Sequence, residues 1–91
     1  MLLVQWLREA EDDLVEIVSF IADRDEIAAQ RLKDAIEFAA SRVPEHPYLY
    51  RLGVVPGTRE IVVHPNYIVV YRIASTCVEI VNVVHARQEY P

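Results

Sequence analysis

The sequence predicts an α+β fold in which a helical hairpin packs on one face of a small antiparallel sheet, in the order β-α-α-β-β-β. Three observations carry this. Apolar residues of the first half recur at helical spacing, whereas those of the second half come in strand-length runs rich in Val, Ile and Tyr. Turn signals separate those runs. Two helices joined by a few residues form an antiparallel hairpin, whose apolar stripe must then be buried against the sheet.

Each element follows in turn. "LLVQW" reads as a short strand. In the first helix Ala10, Leu14, Ile17, Val18 and Ile21 share a face. Glu9, Glu11, Asp12 and Asp13 crowd its first turns, where the helix dipole favours negative charge. Asp23 to Asp25 is the break. Ala28, Leu32, Ala35, Ile36, Ala39 and Val43 form the stripe of the second helix, and Pro44 and Pro47 end it. The strands "REIVVH", "YIVVYRI" and "VEIVNVVHAR" follow as an antiparallel meander. Their turns are Pro56–Gly57 before the first, Pro65–Asn66 and Ala74–Thr76. No repeat, low-complexity stretch or linker interrupts the 91 residues, and one small domain over 1–91 is expected.

Composition narrows the function. The hydrophobic fraction is 53% and mean hydropathy is +0.13, more apolar surface than so short a chain can hide. A sizeable exposed patch, and with it an obligate partner, is the expectation. The net charge of −5 falls on residues 1–42, which hold ten acids against five bases, while residues 43–91 balance. With Lys33 as the only lysine, the chain lacks the clustered cations that general nucleic-acid binding needs. Cys77 is the one cysteine, so no intramolecular disulfide can form, and a buried or inert thiol is expected. The three histidines have no metal spacing, two glycines build no phosphate loop, and neither a metal nor a cofactor is expected. The first residues lack a basic n-region, and no apolar run is long enough for a membrane span. A cytoplasmic protein is the default.

A two-residue turn at Pro65–Asn66 would set His64 against Tyr67, Val63 against Ile68, Ile61 against Val70 and Arg59 against Arg72. The last three pairs would share one face, an apolar strip with a basic end. Directly opposed arginines repel unless an anion sits between them. A phosphate, a partner's carboxylate or a neighbouring Glu60, Glu79 or Glu89 could supply it. Val81, Val83, His85 and Arg87 would share one side of the last strand. His64 reads as a turn histidine with a structural hydrogen bond, and His46 as a loop residue.

Together these residues resemble the RelE/ParE superfamily of type II toxin–antitoxin toxins over the full length. The marks are Ala10, Asp13–Leu14, Ile17 and Phe20–Ile21 on the first helix, then "HPYLY", "VPGTREIVVHPNYIVVYRI" and "VEIVNVVHARQEYP". ParE-type toxins are the most similar, among them those of three-component modules with a PaaA-type antitoxin. The resemblance implies the same β-α-α-β-β-β fold and a cognate antitoxin as partner. It implies one of two activities: poisoning of DNA gyrase, as in ParE-type toxins, or ribosome-dependent mRNA cleavage, as in RelE-type toxins.

RNA cleavage needs groups for proton transfer and for developing charge. The basic positions of RelE-type toxins, carried onto this chain, fall on Arg59, Ile61, Ile68 and Arg87. Two are isoleucine, which can do neither. An endoribonuclease would therefore have to use Arg59, Arg72, His85, Arg87 and Tyr90. The expectation is a ParE-like toxin that acts by binding. An antitoxin would cover Arg59, Ile61, Val63, Ile68, Val70 and Arg72, and His85, Arg87 and Tyr90 would dock the target. A degenerate, non-toxic partner module is the remaining alternative.

Overall fold

The computed structural model describes residues 2–88 and residue 90. Strand β1 (Leu3–Trp6) leads into helix α1 (Arg8–Ala22) and helix α2 (Glu26–Arg42). A 3₁₀ turn, Val43–Glu45, follows, and then β2 (Arg51–Leu52), β3 (Thr58–His64), β4 (Tyr67–Ile73) and β5 (Cys77–His85). The expected α+β architecture is present: two helices lie on one face of a sheet with strand order β1-β5-β4-β3-β2.

The helix boundaries have local causes. Asp25 caps α2, its side chain accepting the Ala28 N–H at 3.0 Å. Pro44 diverts the chain into the 3₁₀ turn. From α2 the core takes Ala29, Leu32, Ile36 and Ala40, with Val43 beyond its end. The predicted stripe is thus rotated by one position at Ala28 and Ala39. They meet Ala10 and Leu14 of α1 and the inner sheet residues Ile61, Val69, Tyr71, Val78, Ile80 and Val83. Burying a side chain such as Ile36 or Ile80 contributes about 1.5–3 kcal/mol.

The sheet is mixed rather than purely antiparallel. β1 pairs in parallel with β5, Leu3 beside Cys77 through Trp6 beside Ile80. At the far edge, the short β2 pairs antiparallel with β3. Cys77 starts β5 and is half-buried, its Sγ 3.9 Å from Gln5 Oε1.

The register departs from the expected one. His64 faces Tyr67, but Val63 is bulged out of the pairing. Val62 then faces Ile68, Ile61 faces Val69, and Arg59 faces Tyr71 rather than Arg72. One extra residue turns every later side chain to the other face. Ile61 and Val63 therefore pack toward the helices, and Ile68 and Val70 lie on the outer face. The single strip through Ile61, Val63, Ile68 and Val70 does not exist, nor does the opposed arginine pair. A second bulge, at Val81, sends Val81 to the outer face while Val83 stays inside, so those two do not share a side.

Candidate functional site

The sheet face turned away from the helices is built from alternate residues of β3, β4 and β5. Its centre is a small apolar cluster of Ile68, Val70 and Val84, with Val81 and Tyr90 packed on it. The strip residues Ile68 and Val70 are thus covered by the chain's own C-terminal tyrosine. Charged residues around the cluster are paired. Arg51 Nε binds Glu60 Oε1 at 2.8 Å, and Arg72 Nε binds Glu79 Oε1 at 2.5 Å. Glu60 is 7% exposed, its carboxylate held in this face by Arg51. The Tyr90 hydroxyl is buried with no hydrogen-bond partner among the described residues. Such an orphan costs about 1–3 kcal/mol.

Arg59 belongs elsewhere. Its Nη1 donates to the Tyr50 carbonyl at 2.7 Å and the Tyr48 carbonyl at 3.2 Å, with the guanidinium over the Tyr48 ring. It clasps the loop after α2, on the helix side of the sheet. Beside it Tyr71 donates to the Pro47 carbonyl at 2.5 Å. Burial pushes the Tyr71 phenol up to about 12; the Arg59 charge opposes this and Tyr50 adds to it.

His85 sits at the other end of the sheet. Its ring meets Tyr67 edge-on, centroids 5.3 Å apart, and Tyr67 also meets His64 at 5.9 Å. Both histidines accept a backbone N–H at Nδ1, from Arg87 at 3.1 Å and from Asn66 at 3.0 Å. In the neutral form each carries its proton on Nε2. His64 is thus a turn histidine with a structural bond. His85 and Tyr67 line a cavity of about 370 Å³ beneath α1, with Asp13, Glu16 and Phe20.

The proposed proton-transfer set is therefore dispersed. Arg72 and Tyr90 lie on the outer face, Arg59 is under the loop, and His85 opens toward α1. Arg87 is exposed in the following turn. Sequence reasoning missed Asp13 as a structural acceptor: its Oδ2 takes the Val83 N–H and the Asn82 side-chain amide, both at 3.0 Å. β1 pairs only as far as Ile80, and Asp13 closes part of the edge beyond it. The acidic run of α1 gave no sign of which carboxylate does this.

A family model described as "ParE toxin of type II toxin-antitoxin system, parDE" matches residues 4–90. The chain belongs to the ParE toxin family. This ParE-family chain is 38% identical over 89 residues to Y4kP of Sinorhizobium fredii, covering 97% of itself and 92% of that protein. It is 36% identical over 83 residues to toxin RelE2 of Caulobacter vibrioides, covering 91% and 93%. Among solved structures it resembles the chromosomal ParDE system of P. aeruginosa, with a TM-score of 0.84 at 18% identity over 93% of this chain and 96% of that one. YafQ of E. coli shares the fold more loosely, with a TM-score of 0.64 at 10% identity, each chain covered to 94%. The chain is a type II toxin–antitoxin toxin of the RelE/ParE superfamily.

Proposed function

We propose that this ParE-family toxin acts by docking on a protein target, DNA gyrase, and not by cutting RNA. The observation that carries the reading is the neutralised outer face. Arg51 and Arg72, its cations, are each bound to a carboxylate. Attack of a ribose 2′-hydroxyl on phosphorus needs a base and a cation aimed at one phosphate. A phosphate approaching this face would meet Glu60 and Glu79, and the His85 imidazole lines the cavity under α1 instead.

The same reading gives the toxin a cognate antitoxin. Its landing place is the helical hairpin, where Val15, Phe20, Ile27 and Phe38 are each more than half exposed. Beside Ile27 runs a groove of about 730 Å³ between the hairpin and the β3–β4 turn, with Ile21, Leu32 and Val63 also in its walls. An apolar segment of the antitoxin fits such a groove.

The test uses the purified full-length chain with gyrase and relaxed plasmid, and in parallel with translating ribosomes. Gyrase inhibition or trapped cleaved DNA, with intact mRNA, is expected. Site-specific mRNA cuts that disappear in His85→Ala would overturn the reading in favour of the endoribonuclease.

A further inference from the structure

Among the described residues, Arg31 is the one arginine or lysine in the wall of the groove between the hairpin and the β3–β4 turn. On α2 it lies one turn after Ile27 and one turn before Ala35, so the three form a row along that groove. Its charge has no counterpart there. The ion pairs among the described residues take Lys33, Arg42, Arg51 and Arg72, and none reaches Arg31. Asp25, the acid in the same wall, is engaged elsewhere: its Oδ1 accepts the Ala28 N–H and caps the start of α2. His64 adds a second donor. Its Nδ1 accepts the Asn66 N–H, which leaves the proton of the neutral ring on Nε2, without an acceptor among the described residues. Ile21, Ile27, Leu32 and Val63 make the rest of the groove apolar.

We infer that the groove takes an antitoxin segment in which an aspartate or glutamate on Arg31 stands beside an apolar side chain on Ile27, Leu32 and Val63. This rests on the reading of the groove as the antitoxin's landing place and names the chemistry of the segment that lands. Arg31 is exposed in the free chain, where water solvates it. A docked segment strips that water, and a covered charge without a partner is costly. The segment must therefore bring an acceptor, and a carboxylate bonds a guanidinium more strongly than a neutral group does. The apolar walls favour a peptide carboxylate over a nucleic-acid phosphate, because nucleic acid needs clustered cations and Arg31 stands alone in this wall among the described residues.

The probe is the acetylated, amidated dipeptide leucyl-glutamate, titrated into the full chain and followed by the methyl resonances of Ile21, Ile27, Leu32 and Val63. Its analogue with glutamine in place of glutamate keeps the shape and lacks the charge. Both should shift these methyls, with the glutamate form binding at least threefold tighter. Arg31→Gln should erase the difference, and Arg31→Lys should keep most of it. Arg8→Gln removes the same charge at the exposed start of α1, outside the groove, and should leave the difference intact. All three substitutions lie at exposed helix positions, where the fold tolerates them. Equal affinity for the two dipeptides, a difference that survives Arg31→Gln, a difference lost equally in Arg8→Gln, or tighter binding of a short single-stranded RNA at these methyls would each overturn the inference. Equal shifts by both dipeptides keep the groove as the landing place and remove the acidic residue from it. No shift by either removes the landing place and the inference together, and gyrase inhibition, measured separately, is untouched by both results.

Discussion

Tyr71 and Pro47, 24 residues apart in the chain, are joined by a hydrogen bond from the buried phenol to the proline carbonyl. The bond ties the loop after α2 to the centre of the sheet, and Tyr50 meets the same ring edge-on at 6.2 Å. Tyr71→Phe keeps the packing and leaves the carbonyl without its donor. The expected loss is about 1–3 kcal/mol, read by urea denaturation.

The same phenol makes stability depend on alkaline pH. In the unfolded chain it loses its proton near its ordinary value of 10.0, whereas the fold holds it up to about 12. Between those values the folded state binds more protons, so stability falls as pH rises. It is fully present below about pH 10. Denaturation curves at several pH values from 9 upward should show a decline that is shallower in Tyr71→Phe.

Ile61 and Val62 are neighbours with opposite fates. Ile61 is 6% exposed in the inner core and Val62 is 54% exposed. Ile61→Glu puts an unpaired charge among apolar residues and should cost more than about 4 kcal/mol, enough to unfold the chain. Val62→Glu should change stability by about 0.5 kcal/mol or less. Circular dichroism melts of the two variants check the assigned register. A tolerated Ile61→Glu would restore the register without the bulge.

Gly53 and Gly57 serve different needs. A Cβ on Gly53 would come within 2.2 Å of Thr58 Oγ1, which donates to the Val55 carbonyl at 2.6 Å. Gly53→Ala should break that bond and cost about 1–3 kcal/mol. Gly57 has φ +85° with open space around it, so Gly57→Ala pays backbone strain alone, about 1–2 kcal/mol. Removing the crowding hydroxyl with Thr58→Ala should recover none of the Gly57→Ala loss, as thermal melts would show.

Asp13→Ala should expose the Val83 amide, raising its hydrogen-exchange rate, with a stability loss of about 1–3 kcal/mol. Asp13→Asn keeps an acceptor and should lose less.

The hairpin, the meander and most element ends were legible because Asp23 to Asp25, Pro44 and Pro65–Asn66 punctuate the periodic runs. The faces were less so. Residues 61–63 and 68–70 are continuous Ile and Val, and without polar alternation such runs say nothing about register. The Val63 bulge falls inside the first of those runs and the Val81 bulge inside the apolar stretch of β5, and neither leaves a trace in the pattern. Helix α2 carries alanines at 28, 29, 35, 39 and 40, so its buried stripe can rotate by one residue without changing the pattern. β2 is two residues long, too short for any period to show. The outer site depended on Tyr90 folding back and on the Arg51–Glu60 and Arg72–Glu79 pairs, which come from separate strands.

The parallel pairing of β1 with β5 joins the first and last strands of the described fold. Leu3 waits for Cys77, and Trp6 for Ile80. Nothing synthesised earlier can take that place, since β5 alone lies between β1 and β4. A nascent chain still tethered to the ribosome holds β1 unpaired until β5 has emerged. Closure of the sheet therefore waits until β5 has cleared the exit tunnel, and contacts so distant in sequence form slowly. A message broken before the codon for Cys77 yields a product that cannot complete this fold. Maturation of the fold is thus postponed until its fifth strand has been made.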